Sequence, residues 1–147
     1  MSHSSIYFIS QNKKYNNFIS EDTIFDLMTS YVDYVTTDSD QEQKDNINWL
    51  VETCPELKIK SNYFTLTEKS AKKLRDTIYS SRKNIIENIF KKDLTIQKLY
   101  EIANIAKPKY GMMFMYECNC PIHVEDFILE YPPIGKYYIL KTYDYHF

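Results

Sequence analysis

The stretch from Tyr110 to Phe147 constrains the fold more than any other part of the chain. It holds ten of the chain's 23 aromatic residues, and so much ring area has to be buried against something. Asn119, Pro121, Pro132, Pro133 and Gly135 interrupt it, and these residue types form turns. Aromatic runs between such breaks predict β-strands, here near 112–117, 124–131 and 136–145. In the last of these, simple alternation places Tyr137, Ile139, Tyr143 and Tyr145 on one face and Tyr138, Leu140 and Thr142 on the other. Both faces are then substantially apolar, as in a strand covered on two sides.

The rest of the chain reads as material that packs on this sheet. Ser5–Ser10 is a short apolar run that predicts a first strand. Ser20 is placed to cap a helix whose first turn carries Glu21 and Asp22, where acids favour the positive end of the helix dipole. That helix is expected to carry Ile24, Leu27, Met28, Tyr31, Val32 and Val35 on one stripe. Ser39 and Glu42 form a capping box ahead of a second helix that buries Ile47, Leu50, Val51 and Cys54 and stops at Pro55. Residues 57–66 predict a lysine-lined edge strand or a small hairpin around Ser61 and Asn62. A long helix then runs to about Lys91, capped by Thr67 or Thr65, with Ala71, Leu74, Ile78, Ile85 and Ile89 on its apolar stripe. A shorter one spans about 95–106. The expected architecture is one α+β domain over residues 1–147, about four helices on a C-terminal, mostly antiparallel sheet.

A chain of 147 residues can bury a core without metals or disulfides. Three cysteines are an odd count, which suits a reducing compartment better than a disulfide scaffold. The N-terminus has no basic segment followed by a long apolar run, and no stretch is apolar enough to span a membrane. A cytoplasmic protein without membrane contact is therefore expected. Two glycines are too few for a phosphate-binding glycine loop or a dinucleotide fingerprint.

Chemistry has few footholds in the sequence. Cys118, Cys120 and His123 lie within six residues, and Cys54 offers a fourth zinc ligand. The C-x-C spacing departs from zinc patterns, and Cys54 falls on a buried helix stripe, so no metal or cofactor is expected. No hydrolase or metalloprotease spacing occurs, and no catalytic residue is assigned.

Charge is the more informative signal. Residues 1–57 carry three lysines against ten acids, and residues 58–109 carry thirteen basic residues against five acids. Asymmetry of this kind points to a charged partner. The isoelectric point near 5.9 argues against a dedicated nucleic-acid-binding domain. It leaves the basic helix over 68–91, with Lys69, Lys72, Lys73, Arg75, Arg82 and Lys83, as the alternative: a nucleic-acid-binding surface or a small enzyme. The favoured expectation is a protein partner, docked on an acidic surface formed by Glu21, Asp22, Asp33, Asp38, Asp40, Glu42 and Asp45, with Trp49 as an aromatic anchor. An acidic surface orients a basic partner, such as a nuclease toxin domain, whose own site carries cations for phosphate. In this general profile, though in no motif, the chain resembles bacterial immunity proteins. The resemblance implies a non-catalytic inhibitor.

Overall fold

The computed structural model describes residues 3–28, 32–90, 94–106, 111–130 and 134–146. Strand β1 (His3–Ser10) is followed by α1 (Glu21–Leu27), β2 (Tyr34–Thr37) and α2 (Asp40–Thr53). A 3₁₀ turn (Pro55–Leu57) leads into β3 (Tyr63–Leu66), α3 (Glu68–Ile89) and α4 (Ile96–Ala106). Then come β4 (Met113–Tyr116), β5 (Ile122–His123), α5 (Val124–Glu130) and β6 (Gly135–His146). The fold is α+β: among the described residues, five helices pack with one mixed sheet of six strands. Its order is β2-β6-β1-β4-β5, with β3 beside β6 as well. Of these pairings only β1–β4 is parallel.

The twelve-residue β6 organises the sheet. One edge pairs with β1 along nearly its whole length. The other edge takes β3 at Gly135–Tyr138 and β2 at Tyr143–His146. Between them the edge stays bonded: Ile139 N–H donates to the Asn62 carbonyl at 2.7 Å, and Asp38 N–H to the Thr142 carbonyl at 3.1 Å. Simple alternation does not hold along β6. Its register against β1 shifts between Phe8 and Ile9, because Ile9 faces Ile139 while Phe8 faces Lys141. Leu140 is thus an extra residue, a β-bulge that turns the strand over. Tyr137 and Ile139 therefore join Tyr7, Ile9, Phe64, Phe114 and Phe127 on one face of the sheet. Tyr143 and Tyr145 join Ile6, Phe8, Met113 and Met115 on the other, under α1. The expected single face for these four residues is corrected by one inserted residue.

Helices α2, α3 and α5 cover the first face. There Phe64 lies nearly parallel to Phe114 and to Tyr137, with centroids 5.4 and 5.2 Å apart, and Phe127 meets both edge-on at 5.3 and 5.7 Å. Edge-to-face and offset pairs of this kind add about 0.5–1.5 kcal/mol each beyond their buried area. On the far face the Tyr145 hydroxyl donates to the Gly111 carbonyl. Gly111 has φ of +70°, and a Cβ there would lie 2.8 Å from that hydroxyl, so both backbone and space require glycine.

Three sequence expectations need correction. Residues 124–130 form α5 and not a strand. Val124, Phe127 and Ile128 are buried at i, i+3 and i+4, with Glu125 and Asp126 in the first turn, and that helical period outweighs the β-propensity of the side chains. The first helix ends at Leu27; Val35 lies in β2, where β-branched Val35, Thr36 and Thr37 fit the free edge of β6. Leu57 lies in the 3₁₀ turn, and the strand begins only at Tyr63. The turn at Ser61 and Asn62 is present, closed by a bridge between Lys60 and Tyr63. Lys58 and Ser61 both take left-handed backbone, φ 51° and 55°, which for residues other than glycine costs on the order of 1 kcal/mol each. The caps at Ser20, Ser39 and Thr67 all form as the sequence indicates. Tyr31, Tyr110, Tyr131 and Phe147 lie outside the described residues.

Candidate protein-binding surface

The acids of the first third converge at one end of β6. Ser20 caps α1 by accepting from Thr23 N–H at 3.2 Å, which sets Glu21 in the first turn. The Glu21 carboxylate accepts from Thr37 N–H at 2.6 Å, tying the start of α1 to the end of β2. Hydrogen bonding by the side chain and the backbone of Thr37 holds its carboxyl below the usual carboxylate range, and Lys141 adds to the effect. Two residues beyond Thr37 is the cap of α2. Ser39 Oγ accepts from Glu42 N–H at 3.3 Å, and Glu42 accepts from Ser39 N–H at 2.7 Å. The reciprocal bonds keep the Glu42 carboxyl low as well.

Asp38 lies between these two helix starts. One of its oxygens accepts from Asn46 at 2.7 Å and from the Thr142 hydroxyl at 2.5 Å. Half-burial pushes its carboxyl up; the two hydrogen bonds oppose this, and Asp144 and Glu42 add repulsion. That repulsion places Asp38, Glu42 and Asp144 within electrostatic reach of one another. Asp144 belongs to β6, opposite Thr36. Sequence reasoning missed it, because only the register of β6 brings it beside acids a hundred residues earlier.

The remaining predicted residues divide. Asp22 and Asp40 are exposed in the first turns of α1 and α2, where an acid meets the positive end of the helix dipole. Asp45 is exposed and accepts from Gln41 at 3.0 Å. Trp49 stands one turn after Asp45 on α2, half-buried, with part of its ring packed on the first-face core. Asp33 is taken up elsewhere: it accepts from, or pairs with, His146 Nδ1 at 2.8 Å, in a cluster where Tyr34 stacks on the His146 ring at 5.2 Å. His3 lies edge-on to the same ring at 4.9 Å and pairs with Asp144 at 3.1 Å.

The basic helix and the cysteines also find their places. Arg82 is not free for phosphate. It pairs with Asp126 at 3.0 Å and with Glu125 at 3.6 Å, fastening α3 to α5. The four metal-ligand candidates are split. Cys54 is buried and shares a cavity of about 30 Å³ with His123. Cys118 and Cys120 are exposed, and Cys118 Sγ lies 3.1 Å from the Tyr15 hydroxyl. That contact pushes the Tyr15 phenol up to about 12. Among the described residues no three His, Cys, Asp or Glu side chains are grouped to hold a metal ion, and no helix is long and apolar enough to cross a membrane. Compared with known proteins, the chain matches no family model, no curated protein and no solved structure.

Proposed function

We propose that the chain is a non-catalytic binding protein that blocks a basic protein partner by docking its acidic end on it. The observation that supports this reading is the convergence of the starts of α1 and α2 and the end of β6. Asp38, Glu42 and Asp144 act on one another there, Glu21 holds the backbone of Thr37 next to Asp38, and Asp22, Asp40 and Asp45 are exposed on the two helices. A surface of one sign steers a partner of the other and holds it in register. Asp45 and Trp49, four residues apart, share a face of α2, so an aromatic anchor borders the charge. Inhibition of a nuclease-type toxin fits this chemistry, since such a partner carries cations where it holds phosphate. The reading also matches the immunity-protein profile of the sequence.

The experiment is affinity capture with the tagged chain in its native cells, followed by stopped-flow association with the purified partner. The expected partner is basic. Reversal of Asp22, Asp40 and Asp45 to lysine slows association several-fold at low salt, and 0.5 M salt removes the difference. If the partner is a nuclease, one equivalent of this chain stops cleavage. Association unaffected by salt and by the reversals sinks the proposal.

A further inference from the structure

The other end of β6 carries a groove of opposite charge. It is about 510 Å³ in volume and lies between the 3₁₀ turn, β3 and the first three turns of α3. Leu57, Phe64, Leu66 and Leu74 form its floor, and all four are buried. Lys58, Lys60, Lys73 and Lys136 stand around it, with Glu56 as the one acid in the lining. Among the described residues, none of these lysines is in an ion pair. Thr65, Ser70 and Thr77 add hydroxyls, and Lys136 Nζ lies 3.7 Å above the Tyr63 ring. The tight turn that presents Lys58 and Lys60 is held by two non-glycine residues in left-handed backbone. Strain of that kind persists where the surroundings over-determine it, and it gathers at functional sites. Lys73 and Thr77 also border a second, open depression with Lys69, Lys72, Asp76 and Ser80, so the cationic surface continues along α3.

We propose that this lysine-rimmed groove binds phosphate of nucleotide chemistry, as a free nucleotide or as a segment of single strand. The volume is that of a small-ligand site. Four ammonium groups against one carboxylate, Glu56, are point donors for phosphate oxygens, and an aromatic ring with an apolar floor receives a base. The net charge of −2 does not oppose this, because the acids lie at the far end of β6 and the groove's own lining is cationic. The site is independent of the acidic end: none of its residues belongs to the proposed docking surface.

The test uses the full chain with two probes at 50 mM salt: a fluorescein-labelled 12-nucleotide single-stranded RNA by polarisation, and ATP without metal by calorimetry. Binding of either supports the site, and which probe binds more tightly tells strand from free nucleotide. Lys60→Glu with Lys136→Glu lowers affinity at least about tenfold. For the strand it also flattens the dependence of log affinity on log salt by about 1–2 units. Lys13→Glu with Lys14→Glu, the same change in net charge on an exposed loop, changes affinity less than twofold. Should the Lys60 and Lys136 reversals unfold the chain, the two glutamine substitutions are measured instead and lose about threefold or more. Equal losses from the groove pair and the loop pair overturn the proposal. So does the absence of binding by either probe.

Discussion

The two ends of β6 differ in what their charges do for the fold. At the acidic end five of the carboxylates are already engaged, Asp45 by Gln41 and Asp144 by His3 among them. Glu21 holds Thr37, Asp38 holds Asn46 and Thr142, and Glu42 closes a capping box. At the lysine end the four groove cations hold no carboxylate among the described residues. Lys136 and Asp144 stand roughly 25 Å apart along the strand at about 3.3 Å per residue. A sequence count of charge weighs both ends alike. The structure teaches that acids at helix starts must be discounted for their local bonds before they are read as a surface. What survives the discount at the acidic end is Asp22 and Asp40, with Asp45 held only by Gln41 on its own helix.

Both ends depend on β6 turning over at Leu140, and deleting that residue tests the turn most directly. Without the extra residue Ile139 and Lys141 become neighbours opposite Ile9 and Phe8, so Tyr143 and Tyr145 keep their face by plain alternation; in a strand without a bulge the same deletion moves them to the opposite face. Both buried tyrosines then stay in the core under α1. The expected outcome is that cooperative thermal unfolding and the near-ultraviolet circular dichroism are both retained. One glycine inserted between Lys13 and Lys14, in a surface loop, is expected to leave both intact. Loss of both signals in the Leu140 deletion, with the Lys13–Lys14 insertion still folded, contradicts the shifted register between β1 and β6.

Asp38 separates structural charge from docking charge. Asp38→Ala strands the Thr142 hydroxyl, which is buried, and the Asn46 amide, at a cost of about 1–3 kcal/mol in denaturant unfolding. Asp38→Asn keeps an acceptor and is expected to lie within about 0.5 kcal/mol of the parent at pH 7. The pH dependence follows from the raised carboxyl, whose chief cause is burial. The folded chain holds the proton more tightly than the unfolded one. This group therefore favours folding as pH falls through the window just above its ordinary value of 3.8, and opposes it once ionised. Glu21 and Glu42 act in the opposite sense: their lowered carboxyls contribute stability above the ordinary value of 4.5, and it is lost on acidification. Subtracting the Asp38→Asn profile from the parent's isolates the first effect. A difference that grows on acidification in the variant's favour refutes the assignment.

Both ends begin helices with capping boxes, so a cap deletion at each is a matched pair. Ser39→Ala at the start of α2 and Thr67→Ala at the start of α3 each cost about 1 kcal/mol, measured by denaturant midpoint. The sites share no partner, so the double variant is expected to lose the sum to within about 0.5 kcal/mol. A shortfall beyond that margin means that the two ends are mechanically coupled through β6.

Much of this was legible in the chain and some was not, for physical reasons that differ by element. Caps announce themselves in three or four residues, so Ser20, Ser39 and Thr67 were readable. The buried run in β1 was readable from its composition. Segment 124–130 was misread because Val, Phe and Ile favour strands, whereas their spacing, which decides between helix and strand, is helical. The bulge at Leu140 leaves no local mark, since it arises from matching two strands about 130 residues apart. The acids of α1 and α2 were visible as a composition shift. Asp144 beside them was not, and neither was the grouping of Lys136 with Lys58, Lys60 and Lys73, because both depend on which edge of β6 each neighbour takes.

The smallest expected effect bears most directly on the contrast between the two ends. If the groove lysines serve a ligand and not the fold, neutralising them leaves stability almost untouched. Lys58→Gln, Lys60→Gln and Lys73→Gln are each expected to change the unfolding free energy by less than about 0.5 kcal/mol, the usual range for surface sites without a partner. Lys136→Gln is expected to cost slightly more, up to about 1 kcal/mol, because its ammonium lies over the Tyr63 ring. These values contrast with the roughly 1–3 kcal/mol expected for Asp38→Ala. The contrast reverses if Lys60→Gln or Lys73→Gln proves as destabilising as Asp38→Ala. The lysines would then be folding devices like the acids at the other end, and cation excess around the groove would no longer argue for a phosphate ligand.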